Sequence, residues 1–285
     1  MSTTEKRDDL IIDVGMHAGE DTAFYLAKGF RVVGIEANPV LAAAVRTRFA
    51  DQIDSGQLRI MDVAIAEQAG EQRLAVADGD TSIWSSLSPE YVARNKAVGV
   101  RYTYVDVPAV RFETILEECG VPYYLKIDIE GLDLLCVRAL HHFAQRPTYL
   151  SLESSVSAPG APGDAVMTEL AELWTLGYRG FKYVNQRRHV THTGPYPPFE
   201  GVYVDAPFDP AGSGPFGRET PGQWEGVRRA FARAQLLRLQ HNFGGNGGKW
   251  VDSLPGRAYR RFRMRVLDSP TGWYDLHARL GQAPE

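Results

Sequence analysis

A five-residue apolar run, Leu10-Ile11-Ile12-Asp13-Val14, stops at Gly15 and leads into helix-like residues Glu20 to Lys28, with Gly29 as their stop. A run this short, bounded by glycine, has the pattern of a strand buried on both faces. The pattern recurs: Arg31 to Glu36 reads as a second strand and Gln57 to Met61 as a third. Between these two, Asn38 caps a helix with Pro39 at its first position, where a missing N–H costs nothing. Leu41, Val45 and Phe49 then form one buried face. Strand and helix alternating in this order imply an α/β chain wound on a doubly covered sheet with right-handed crossovers.

Residues 64–112 are less regular, with Leu74 to Ala77, Ser82 to Leu87 and Tyr102 to Val105 read as short strands or loops inserted before a fourth core strand, Tyr123 to Gly131. A helix from Leu132 to Phe143, a strand Thr148 to Leu152, a loop Ala158 to Gly163 and a helix Ala165 to Leu176 follow. Tyr178 to Val184 and Gly201 to Val204 are the strands expected to close the sheet as a hairpin-like pair. Pro207 to Gly222 reads as a linker or mobile loop. A helix from Trp224 to His241, a glycine run from Gly244 to Gly248 and an aromatic segment at 273–277 make up the tail. The expected division is a core at 1–205 and an extension at 206–285.

With 285 residues, 44% of them hydrophobic, the chain can bury a sizeable core. The net charge of −4 gives no overall pull toward nucleic acid or an anionic membrane. Met1 to Asp9 is polar and no long uncharged apolar run follows, which predicts a cytoplasmic protein without a membrane span. Cys119 and Cys136 lack the spacing of a zinc or redox pair, and the seven histidines include no His-Glu-x-x-His.

The chemistry-bearing residues fall where strands end. Gly15 and Gly19 lie in the turn after the first strand, with Asp13 ahead of them and His17 between them. Glu36 closes the second strand, where a carboxylate accepts both hydroxyls of a ribose. Glu20 and Asp21 would repel a diphosphate at the helix start, so a cationic, phosphate-free nucleoside such as S-adenosylmethionine fits Asp13, Glu36 and Asp62 better than a dinucleotide. Asp62 follows the third strand, either as a partner for an adenine amino group or as a loop residue. In the fourth strand Lys126, Asp128 and Glu130 share one face, and Glu153 ends the fifth. Such a group is either a buried ion-pair cluster or a functional site. As a site, its carboxylates serve as a general base or bind a divalent cation.

Together these motifs resemble the FkbM family of S-adenosylmethionine-dependent methyltransferases. The resemblance rests on Asp13-Val-Gly-Met-His-Ala-Gly19, Glu36-Ala-Asn-Pro39 and Leu125-Lys-Ile-Asp-Ile-Glu-Gly131, and it covers roughly residues 10–180. It implies a Rossmann-like class I fold, a mostly parallel seven-stranded sheet flanked by helices. It implies too that Asp13, Gly15 and Gly19 surround the cofactor's methionine part, Glu36 its ribose and Asp62 its adenine, with Asp128 beside the transferred methyl. Members of the family resemble O-methyltransferases acting on hydroxyls of sugars, polyketides and other small molecules. Met16, His17 and Ala37 depart from the family's usual residues, which bears on substrate more than on cofactor.

The expected activity is therefore O-methyl transfer to a small hydroxylated molecule, with Asp128 as base and Lys126, Glu130 and Glu153 beside it. Three alternatives stand. One is a methyltransferase for nucleic acid or another anionic substrate, using the tail, where ten basic residues face two acidic ones between 223 and 265. Another is a nicotinamide-dependent oxidoreductase, disfavoured by the missing middle glycine. The last is a non-catalytic nucleoside-binding module.

Overall fold

A computed structural model describes residues 2–158, 163–187, 192–244, 249–262 and 272–281. The first half winds as the alternation predicts: β1 (Lys6–Val14), α1 (Glu20–Ala27), β2 (Arg31–Ile35), α2 (Pro39–Arg48), α3 (Ala50–Asp54) and β3 (Leu58–Met61). The Asn38 side chain caps α2 by accepting from the Val40 N–H at 3.0 Å. An insert follows, with β4 (Ala64–Ile65), β5 (Gly70–Ala77), α4 (Pro89–Ala97) and β6 (Tyr102–Val110). Its strands form a separate sheet in the order β4-β6-β5. Ser82 to Leu87 is no strand: a 3-10 turn at Gly79–Trp84 takes its place, and Ser88 caps α4, whose first residue is Pro89.

The core resumes with α5 (Phe112–Cys119), β7 (Val121–Ile127), α6 (Asp133–Ala139), β8 (Tyr149–Glu153), α7 (Ala165–Thr175) and β9 (Tyr178–Asn185). The tail contributes α8 (Val227–Gly244), α9 (Leu254–Phe262) and β10 (Tyr274–Leu280). The main sheet has seven strands in the order β3-β2-β1-β7-β8-β10-β9. All neighbours run parallel except β10, which is antiparallel to β8 and β9.

Three expectations are corrected here. Gly201 to Val204 forms no strand, and the strand that closes the sheet is β10, from beyond residue 205. Its alternation gives the reason: Leu276 and Ala278 go to one apolar core, while Asp275 and His277 turn to the opposite face. The boundary expected at 205 therefore does not end the sheet. The segment Pro207 to Gly222 is also a packed strap rather than a loose linker, since Phe208, Phe216, Glu219 and Thr220 are buried in it. The glycine run at 245–248 and the loop residues 159–162 lie outside the described residues.

The sheet faces differ. Leu10, Ile12, Leu125 and Ile127 pack with α5, α6, α7 and α8 in an all-apolar core. On the other face Ile11, Val32 and Tyr124 pack with α1, α2 and Phe216 of the strap, whose ring stacks on Tyr124 at 4.8 Å. That face also carries a row of polar residues in register, Asp13, Lys126, Ser151, His277 and Lys182. The strap covers this row and is tied down by charge-assisted bonds. The Ser213 N–H donates to Asp21 at 2.7 Å, Lys182 donates to the Thr220 carbonyl at 2.6 Å, and Lys28 pairs with Glu219 at 2.9 Å.

Candidate active site

The carboxyl ends of β1, β2, β7 and β8 gather the predicted residues along one edge, where open α/β sheets bind ligands. The Gly15 turn crosses the end of β7 so closely that a Cβ on Gly15, at φ +79°, would stand 1.8 Å from the Asp128 carbonyl oxygen. Only glycine allows that approach. Gly19, at φ +82°, is the N-cap of α1 and packs against the Phe49 ring. His17 and Glu130 are the two described non-glycine residues with left-handed backbone, at φ 51° and 53°, and both lie at this edge.

Glu36 is buried and held on both oxygens: the His17 N–H donates at 2.9 Å and the Asn38 N–H at 2.8 Å. Burial pushes its carboxyl up to about 7. The His17 ring lies between Glu20, at 3.3 Å from Nδ1, and Ser82 of the insert, at 3.2 Å from Nε2. Its hydrogen bond with Glu20 raises the imidazole above its ordinary value.

Asp13 and Lys126 lie deeper than a ligand-lining role requires. Asp13 is 0% exposed and accepts from Thr22 at 2.7 Å. The Lys126 ammonium stands 3.4 Å from Asp13, 3.5 Å from Asp21 and 3.7 Å from Asp128, with 5% exposure. It is a buried counter-ion shared by three carboxylates. Asp62, by contrast, is exposed and paired with Arg46 at 2.6 Å.

The acidic group comes together, but not through strand alternation: β7 ends at Ile127, so Asp128 and Glu130 lie in the turn beyond it, Glu130 with left-handed backbone. Carboxylate oxygens of Asp128, Glu130 and Glu153 lie within 4.8 Å of one another. Burial, then mutual repulsion, pushes Glu130 and Glu153 well above the usual carboxylate range. Asp128 keeps a side chain 40% exposed beside Lys126. One Glu130 oxygen, Oε2, is buried with no hydrogen-bond partner. Three acidic oxygens at this spacing have the hard-donor chemistry of a divalent-cation site.

Three neighbours escaped the sequence reading of the site. The sequence marks Asp21 only as charge at a helix start, yet it bonds both Lys126 and the strap. Asp275 of β10 stands opposite Glu153, and Tyr91 of α4 stands near Glu130. The alternation of Asp275 and His277 with Leu276 and Ala278 was a usable strand signal. Nothing local marks Tyr91, because it arrives on the insert.

A seven-stranded sheet with one antiparallel strand, flanked by helices and carrying an acidic edge, defines a Rossmann-like methyltransferase fold. The sequence profile of the "Methyltransferase FkbM domain" family matches residues 13–183, and the chain belongs to that family. No curated protein matches it. Among solved structures it is similar to methyltransferase FkbM from Methylobacillus flagellatus, with 18% identity over 52% of this chain and 33% of that one, at a TM-score of 0.34. It thus spans about a third of that protein's length. A methyltransferase from Thiobacillus denitrificans in complex with S-adenosyl-L-homocysteine shows 9% identity over 97% of this chain and 87% of that one, TM-score 0.34. Geranyl diphosphate C-methyltransferase from Streptomyces coelicolor shows 9% identity over 98% and 76%, TM-score 0.37. No described helix is long and apolar enough to cross a membrane.

Proposed function

We propose that this methyltransferase uses S-adenosylmethionine to methylate a hydroxyl of a small molecule, sugar or secondary metabolite. The observation that carries the reading is Asp128: half-exposed at the β7 end, beside Lys126, with two carboxyls converging on it. The donor set fits the cofactor. Glu20 and Asp21 make the start of α1 acidic, which opposes a pyrophosphate and suits a sulfonium cation. Glu36, fixed by two backbone N–H groups, retains lone pairs for the ribose hydroxyls. Asp62 is assigned to the adenine side, where it must turn from Arg46 to reach a ligand.

When bound, the cofactor supplies an electrophilic methyl on sulfur. Asp128 would accept the acceptor's hydroxyl proton, leaving its oxygen free to take the methyl that the cofactor would supply. Glu130 and Glu153, whose carboxyls burial pushes upward, flank Asp128 and position the acceptor by hydrogen bonding. Lys126 is a positioning residue that holds Asp128 through charge. A cytoplasmic location accords with this reading, both cysteines being free and buried.

Calorimetry with S-adenosylmethionine against NADH tests the cofactor. Asp128→Asn then tests the chemistry: turnover on a panel of hydroxylated acceptors falls on the order of 100-fold with cofactor binding retained. Near-normal turnover overturns the assignment. Repeating the panel with EDTA decides whether the three carboxylates hold a divalent cation during catalysis.

A further inference from the structure

The tail's charge is unused by the site described above. We infer that the α8–α9 hairpin is a docking surface for an anionic lipid bilayer.

Helix α8 buries Ala230 and Ala234 against the core and packs beside Ser155–Ser157, the turn that follows Glu153. Its outer side exposes Leu236 (53%) and Leu239 (47%) with Arg228 and Arg229. In α9 the four-residue spacing of Leu254, Ala258 and Phe262 makes an exposed apolar stripe, with Leu254 77% and Phe262 51% exposed. Arg257, Arg260 and Arg261 occupy the adjoining face, and Tyr259 turns inward to Phe243. Trp250, in the chain between the two helices, is a further exposed ring at 45%.

These arginines are available. Arg233 is paired with Glu225 and Arg238 donates to the Gly163 carbonyl. Among the described residues, Arg228, Arg229, Arg257, Arg260 and Arg261 have no carboxylate within 4.0 Å. Arg263 and Arg265, which extend the run, lie outside the described residues.

Charge selects an anionic partner, and the apolar stripe selects its kind. Nucleic acid would engage the guanidinium groups but leave Leu254, Leu236 and Leu239 in water. A bilayer interface takes both at once, with headgroup phosphates on the arginines and the acyl boundary on the leucines and Phe262. The chain as a whole is −4 although this segment is strongly basic, so the remainder is acidic and is repelled by the same surface. That polarity orients the molecule with the hairpin down.

Co-sedimentation of the full-length protein with phosphatidylcholine vesicles, with and without phosphatidylglycerol, tests the inference. Pelleting is expected only with phosphatidylglycerol, weakening as salt is raised. A Leu254→Asp/Phe262→Asp variant and an Arg257→Gln/Arg260→Gln/Arg261→Gln variant should each bind about tenfold less or weaker still. Their circular dichroism and melting should match the parent, since these side chains are exposed. No pelleting, or pelleting equal in parent and variants, overturns the inference. Duplex DNA binding that ignores Leu254 and Phe262, in the absence of vesicle binding, assigns the surface to nucleic acid and overturns it also.

Discussion

Asp275 stands directly across the antiparallel ladder from Glu153, at the carboxyl end of β8. Burial holds both well above the usual carboxylate range, with Asp128 adding to the repulsion in each case. Like charges directly opposite destabilise a ladder. Asp275→Asn removes that repulsion and keeps the side chain's shape. At pH 8 its melting temperature should equal or exceed the parent's; a large fall would mean that the Asp275 charge is needed.

The same physics gives the fold a pH dependence. Glu36 and Asp133 both titrate at about 7 in the fold, each raised chiefly by burial, against about 4 for unfolded carboxyls. A raised folded value means stability fully present below the unfolded value and lost as pH rises through the folded one. His277, lowered to about 3 by burial, acts in the opposite sense, but only below its unfolded value of about 6.5. Scanning calorimetry should therefore show the melting temperature falling as pH rises from about 5 through 7, with His277 offsetting part of the fall below about 6.5. Glu36→Gln should flatten that slope; an equal slope would remove Glu36 from the account.

Gly15 and Gly29 separate close approach from backbone strain. Gly29→Ala, at φ +87° with nothing within 4 Å of the new Cβ, should cost only about 1–2 kcal/mol. Gly15→Ala meets the Asp128 carbonyl as well, and should cost roughly 3 kcal/mol or more, or abolish soluble expression. Denaturant melts of the two variants make the comparison.

Lys126→Met removes the ammonium shared by Asp13, Asp21 and Asp128. Uncompensated buried charge of this kind costs about 3–5 kcal/mol, which denaturant titration reads directly. A loss below about 1 kcal/mol would show that the three carboxylates do not depend on Lys126.

Truncation after residue 205 tests whether the strap belongs to the core. It removes Phe216, which is 0% exposed, and the strand β10 between β8 and β9. The shortened chain should fail to fold, and Phe216→Ala in the full chain should cost about 3–5 kcal/mol. A soluble, cooperatively melting 1–205 fragment would contradict this.

The sequence by itself determined the first winding, because strand and helix there carry their own local signals. Leu10 to Val14 is apolar between glycine and charge, and Asn38-Pro39 starts α2 through its own backbone chemistry. It determined also that Lys126 and Asp128 lie at the carboxyl end of one strand, although β7 stops at Ile127 and Asp128 follows it in the turn. Tertiary structure alone decided which carboxylates meet: Asp21 reaches Lys126 from a helix, Tyr91 reaches Glu130 from the insert, and Asp275 faces Glu153 across 122 residues of chain. It decided too that Pro207 to Gly222, poor in regular structure, packs as a strap through Phe216 and Glu219. Contacts between residues distant in the chain leave no periodic trace in either partner, so local pattern places the elements and packing decides what they bring together.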